Sequence, residues 1–127
     1  MGVYTYPIKR RDFMGWGLFG FNRKYRISPE EGKELLDSNN GVILLDVRTQ
    51  EEHKAIRIPK SKLIPLGDLE TEVAKKLKNK DAEILVYCRS GSRSATAAKI
   101  LTKLGYTNVK DLGGIIRWPY ETVSGKK

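Results

Sequence analysis

The stretch ILVYCRSGSRSATAAKILTKLG, Ile84 to Gly105, constrains this chain more than any other. Ile84, Leu85, Val86 and Tyr87 form a short apolar run of β-forming residues, which reads as a buried strand. The run ends at Cys88, the one cysteine in 127 residues. Arg89-Ser90-Gly91-Ser92-Arg93-Ser94 then makes a small polar turn carrying two arginines. From Ala95 to Leu104 the apolar positions Ala97, Ala98, Ile100, Leu101 and Leu104 recur at helical spacing, so a helix follows. Ser94 fits its N-cap and Gly105 its C-terminal stop.

The chemistry of such a turn is restricted. A lone thiol sits where a strand hands over to a helix. Backbone N–H groups of a short loop can point inward, the helix N-terminus adds partial positive charge, and two guanidiniums flank the cradle. Each of these favours a thiolate over a thiol and would also bind a small oxyanion. A cysteine at a strand end is often only a small buried hydrophobe. A core position, however, does not need the neighbouring arginines, serines and glycine.

Cys88-Arg89-Ser90-Gly91-Ser92-Arg93-Ser94 resembles the active-site loop of single-domain rhodaneses, the thiosulfate sulfurtransferase-like family. Two further stretches agree with it: Leu45-Asp46-Val47-Arg48 followed by Glu51-Glu52-His53, and Leu112-Gly113-Gly114-Ile115 with Trp118 beyond. The resemblance covers about Ser28 to Tyr120. It departs from the family between Lys54 and Lys62. Rhodaneses there have a Gly-His-Ile-x-Gly-Ala stretch, and this chain has Ile56-Arg57-Ile58-Pro59-Lys60-Ser61. Both glycines and the histidine are gone and two cations are added, which predicts a different backbone path and altered substrate access.

Length bounds the chain to one domain with a sizeable core. A single cysteine rules out an internal disulfide framework, and with one histidine it makes a zinc site improbable. No metal and no organic cofactor is expected, and a cytoplasmic location is. The net charge of +9 raises the question of nucleic acid, but residues 1–26 hold six basic residues and one acid, so +5 of it lies there. Residues 1–24 read as a basic, aromatic, glycine-interrupted arm. Lys9-Arg10-Arg11-Asp12-Phe13-Met14 faintly resembles a twin-arginine export signal, yet no cleavage site follows and Met14 to Phe21 is far too short to span a membrane. The arm reads as a flexible extension; a peripheral membrane or partner contact is its sharper reading, and Met14 an alternative start.

The domain is placed at 25–122, with a frayed tail at 123–127. Tyr25-Arg26-Ile27 reads as a first short strand. Ser28-Pro29-Glu30-Glu31 opens a helix through a capping box, which runs to about Asp37. Val42 to Val47 reads as a strand buried on both faces. Asp46 closes it at the carboxyl edge, where α/β proteins place ligand sites. Its other reading is to cap the turn or pair with Arg48, and both residues are taken as site-supporting. Thr49 starts a short helix containing His53, read as structural or surface and not as a base. Leu63 to Leu66 is an edge strand, Gly67 to Asn79 a helix with Leu66, Leu69, Val73, Ala74 and Leu77 inward, Val109 to Leu112 a last strand, and Ile115 to Trp118 the start of a terminal helix. Alternating strands and helices make an α/β fold with a parallel sheet. The resemblance implies about five mostly parallel strands with helices on both faces.

The resemblance implies sulfur transfer. Cys88 would take the outer sulfur of a thiosulfate-like donor as a persulfide and pass it to an external thiol, cyanide or a sulfur-accepting protein. Arg89 and Arg93 would attract the anion, loop N–H groups would stabilise the sulfur, and Ser90, Ser92 and Ser94 could add donors. Arg93 has a second reading, bracing the loop through an internal ion pair. Gly91 supplies a turn conformation. Three other readings compete. Cysteine-dependent phosphatases space cysteine and arginine by one residue more, and no aspartate is evidently placed as general acid. A non-catalytic persulfide carrier or binding module fits the same loop. A nucleic-acid arm lacks a recognised motif.

Overall fold

The structure is a computed structural model and describes residues 25–125. The arm at 1–24 lies outside the described residues, with its membrane or partner contact and the start at Met14, and so do Lys126 and Lys127.

Local signals set most element starts. Helix α1, Pro29–Ser38, begins where the Ser28 hydroxyl accepts from Glu31 N–H at 3.0 Å and the Glu31 carboxylate accepts from Ser28 N–H at 2.9 Å. Strand β1 is Ile43–Asp46. Helix α2, Gln50–Ala55, is capped in the same reciprocal way by Thr49 and Glu52. Strand β2 is only Lys62–Leu63, and a 3-10 turn at Leu66–Asp68 leads into α3, Leu69–Lys76. Then come β3, Ile84–Cys88, helix α4, Ser92–Lys103, β4, Val109–Gly114, and a 3-10 turn, Ile115–Arg117.

The sheet order is β2-β1-β3-β4 and every pairing is parallel. Strand β3 lies at its centre with all five residues buried. Alternation sends Ile84, Val86 and Cys88 to one face, against Leu69 and Val73 of α3 and Ala97, Ala98 and Leu101 of α4. Leu85 and Tyr87 go to the other, against Leu112, Ile58, Trp118 and the half-buried Leu35 and Leu36 of α1. This is the α/β fold expected, a parallel sheet covered by helices on both faces. Among the described residues no helix is long and apolar enough to cross a membrane.

Several details differ from the sequence reading: besides shorter bounds for β2 and α3, a longer β4 and a 3-10 turn in place of a terminal helix, four more concern the sheet, two helices and the domain limit. Among the described residues the sheet has four strands, because Tyr25-Arg26-Ile27 contributes only one bridge, Arg26 to Asp111. Ser28 and Pro29 turn the chain into α1 before a second pair can form. Helix α4 starts at Ser92 with Gly91 as N-cap, so Ser94 is inside its first turn. Ala74 is exposed, and the buried stripe of α3 and the residue after it is Leu69, Val73 and Leu77. Val123 is not frayed: it exchanges backbone hydrogen bonds with Arg57 at 2.8 Å each way, and Gly125 N–H donates to Lys54 at 2.7 Å. The ordered domain therefore passes the expected limit at residue 122.

Candidate active site

Cys88 is the last residue of β3 and is buried, with its sulfur turned into the loop that follows. Gly91 N–H donates to Sγ at 3.0 Å and Ser94 N–H at 3.3 Å. Gly91 holds a left-handed conformation, φ 115°, which glycine adopts without the Cβ penalty. That angle bends the loop back so that its N–H faces the sulfur. Ser92 and Arg93 occupy the first helical turn, where N–H groups have no acceptor within the helix. The helix dipole adds positive potential at the same point. The loop also leans on β4. A Cβ on Gly114 would overlap the Arg89 carbonyl oxygen and lie 2.6 Å from Ser90 Cα, so only glycine permits this approach.

Two expected donors are committed elsewhere. The Ser94 hydroxyl donates to the carbonyls of Gly91 at 3.1 Å and Gly113 at 3.4 Å, and so ties the loop to β4. Arg93 makes two parallel bonds to Glu52, Nη1 to Oε1 at 2.8 Å and Nη2 to Oε2 at 3.0 Å. The bracing contact, one of the two readings of Arg93, is thus present, and its partner is on α2. Ser90 and Ser92 stand at the surface. Arg89 is exposed, and its side chain has no ion pair or hydrogen bond among the described residues.

Glu52 does two jobs: it closes the capping box of α2 and clamps the cysteine loop. Hydrogen bonds from Arg93 pull its carboxyl down to about 2, and the same bonds raise Arg93. A depressed carboxyl stabilises the fold fully above its unfolded value and loses that contribution as pH falls toward the folded one. Glu52→Gln is therefore expected to cost about 1–2 kcal/mol at neutral pH, after allowance for solvent screening. It should also flatten the acid limb between about pH 5 and pH 2. Urea unfolding across that range measures both, and an unchanged acid limb would refute the clamp.

Beside the cysteine loop lies a buried polar network. Asp46 pairs in register with Tyr87, one residue before Cys88. Its Oδ1 accepts from Arg48 N–H at 3.0 Å and Nε at 2.9 Å, and its Oδ2 from Arg48 Nη2 at 2.7 Å, with His53 Nδ1 at 2.8 Å from the same oxygen. Burial alone would lower Arg48, but hydrogen bonds and charge from Asp46 outweigh it and the guanidinium is raised. Arg48 Nη2 also donates to the Ile56 carbonyl at 2.6 Å, and the guanidinium lies 5.4 Å from the Tyr87 ring centre. The Tyr87 hydroxyl accepts from Ile58 N–H at 3.1 Å and lies 3.0 Å from Ser61 Oγ. Burial, with Asp46 nearby, pushes Tyr87 up to about 12. Asp46, Arg48 and Tyr87 thus hold the 56–61 loop that departs from the rhodanese pattern. Of that loop's two added cations, Arg57 is spent on the carbonyls of His53 and Gly125, whereas Lys60 is exposed.

Glu52 and Tyr87 were not legible as parts of this site. Glu52 carries a visible local signal, the Thr49-x-x-Glu52 capping box, but its contact with Arg93 spans 41 positions. Arg26 is a third: its guanidinium packs over Gly113, where a Cβ would come within 2.8 Å of Nη2.

With this geometry in place, the family can be decided. The model of the rhodanese-like domain matches residues 28–119. The chain belongs to that family. Among its relatives, the putative sulfurtransferase YtwF of Bacillus subtilis is 34% identical over 96 residues, covering 76% of this chain and 91% of the relative. The adenylyltransferase and sulfurtransferase MOCS3 of Arabidopsis thaliana is 35% identical over 108 residues, 73% of this chain, and this rhodanese-like chain spans only 23% of that protein's length. The structure of an Escherichia coli rhodanese with anions superposes with a TM-score of 0.63 at 30% identity, covering 66% of this chain and 99% of that one.

Proposed function

We propose that this rhodanese-like domain is a sulfurtransferase that carries sulfur as a persulfide on Cys88. The observation that carries the reading is the pair of backbone N–H groups, Gly91 and Ser94, aimed at Sγ from a loop that opens a helix. Those dipoles stabilise negative charge on sulfur before and after it gains a second sulfur atom. The thiolate attacks the outer sulfur of a thiosulfate-like donor. The S–S bond of the donor breaks, its electron pair leaves with sulfite, and Cys88 holds the sulfur. A nucleophile then takes it: cyanide as an assay acceptor, or a thiol or sulfur-accepting protein. The chain has no second cysteine, so the sulfur cannot be resolved by another thiol of the same chain.

The Arg93–Glu52 contact supports a division of work between the two arginines. In this reading Arg93 holds the loop through Glu52, and Arg89, whose side chain has no partner among the described residues, meets the anion. That an E. coli rhodanese of this fold was solved with anions supports an anionic donor here. The test is intact mass after thiosulfate and again after cyanide. A gain of one sulfur atom that cyanide removes is expected. Loading that cyanide does not discharge would favour a dedicated persulfide carrier. No loading at any donor concentration would refute the reading.

A further inference from the structure

Helix α2 serves two sides of the molecule. Glu52 reaches the cysteine loop, whereas Gln50, His53 and Lys54 line a separate cleft of about 510 Å³. These three, with Arg57 just past the helix, recur at spacings of three and four and so share one face. The cleft is bounded on its other sides by the turn at Lys60 and by segment 123–125, which is bridged to Arg57. None of residues 88–94 lines it. Lys54, Arg57 and Lys60 bring three cations to it, and among the described residues neither a carboxylate nor an aromatic ring lines it. Asp46, which lies behind His53, is already matched by Arg48. Arg57 is fixed in place, its Nη1 donating to the carbonyls of His53 at 3.1 Å and Gly125 at 2.6 Å. Two neutral carbonyls orient the guanidinium without cancelling its charge, and its Nε and Nη2 have no acceptor among the described residues. Lys54 and Lys60 are exposed, and neither ammonium has a partner among the described residues. Lys60 also holds φ 69°, and it is the one non-glycine residue at positive φ among the described residues. That conformation favours glycine, so a lysine kept in it points to a use for the side chain.

Three cations on separate segments match an anion charged at several points along its length. The cleft has the volume of a small-molecule site, more than a single tetrahedral oxyanion fills. It offers no ring on which a nucleobase could stack. We propose that it binds a linear multivalent phosphate anion of the pyrophosphate or short polyphosphate type, at a site separate from Cys88. Arg57 is the fixed point, because its position is set before the anion arrives and its free N–H groups form a planar fork that fits phosphate oxygens. Lys54 and Lys60 close on the flanking phosphate groups as mobile point charges. The inference does not rest on the sulfur chemistry of the cysteine loop, since the two sites share no lining residue.

The test is calorimetric titration of the full chain with tripolyphosphate at low ionic strength, where screening is weakest. Binding is expected in the wild type, and the double variant Lys54→Gln, Lys60→Gly should weaken it at least about tenfold. Both side chains are exposed and glycine suits the backbone at residue 60, so the variant keeps its fold. Two controls remove charge elsewhere: Lys75→Gln with Lys76→Gln on the exposed side of α3, and Arg89→Gln at the cysteine loop. Each should leave the affinity within about twofold. ATP carries the same phosphate chain with a base attached, and should bind no tighter than tripolyphosphate. No heat at millimolar tripolyphosphate overturns the proposal. So does a loss in either control equal to that in the cleft variant, which would assign binding to net charge or to the cysteine loop. ATP bound more than about tenfold tighter than tripolyphosphate would overturn it as well, since a base would then be recognised.

Discussion

Cys88→Ser should lower the rate of sulfur loading at least about a thousandfold while leaving the fold in place. The serine oxygen can accept the same two N–H bonds that Gly91 and Ser94 give to Sγ. The loop is also held independently of residue 88, by the Glu52–Arg93 pair and by the Ser94 hydroxyl on Gly91 and Gly113. What serine lacks is the chemistry: its hydroxyl stays protonated near neutral pH and forms no persulfide. Intact mass after thiosulfate measures the effect, and a thermal melt close to that of the wild type shows that folding is not the cause. Sulfur bound at one equivalent to the serine variant would mean that Cys88 is not the acceptor.

Asp46→Ala is expected to be the most destabilising single truncation at the site, by about 3–5 kcal/mol. Asp46 is fully buried and the Arg48 side chain is 2% exposed, so water cannot replace the lost partner. Arg48 would keep only the Ile56 carbonyl and the Tyr87 ring, and His53 would lose its Asp46 contact. The melting temperature should fall by roughly 10–20 °C. Most of this loss is the penalty of an uncompensated buried charge. Replacing both partners, Asp46→Leu with Arg48→Met, should therefore recover much of it. If the double replacement is no more stable than Asp46→Ala, the network contributes net stability beyond charge compensation. If Asp46→Ala melts within a few degrees of the wild type, the burial argument is wrong. Because Arg48 also anchors Ile56, both variants should disturb the 56–61 loop more than the cysteine cradle.

The element order was legible because its signals are local. The apolar run at Ile84–Tyr87, the capping boxes at Ser28 and Thr49 and the helical spacing after Ser92 each act within a few residues. Boundaries failed where a local preference met a tertiary demand. Ser94 has the chemistry of an N-cap, but the sulfur needed two inward N–H groups, and a left-handed Gly91 starting the helix earlier supplies them. The last strand reads from the sequence as ending at Leu112, yet Gly113 and Gly114 also lie within β4. Gly114 is there because the cysteine loop rests on its Cα. Val123 looked like a loose end because no local feature announces the bridge to Arg57, 66 positions earlier.

The sequence by itself determined the lone cysteine at a strand end, the short loop after it and the α/β layering. The thiol at the strand end, the glycine in the turn and the strand and helix periodicity all follow from near neighbours along the chain. Only the tertiary structure decided which arginine is paired among the described residues. Arg89 and Arg93 are chemically identical in the sequence, and either could have met the anion. Their difference comes from α2, whose Glu52 is carried across the site to Arg93 and never reaches Arg89. The structure alone likewise set Ile56 against Ile116, 60 positions apart, as two walls of one groove. Contacts of that span depend on how parallel strands stack their following loops at one sheet edge, which no local pattern records.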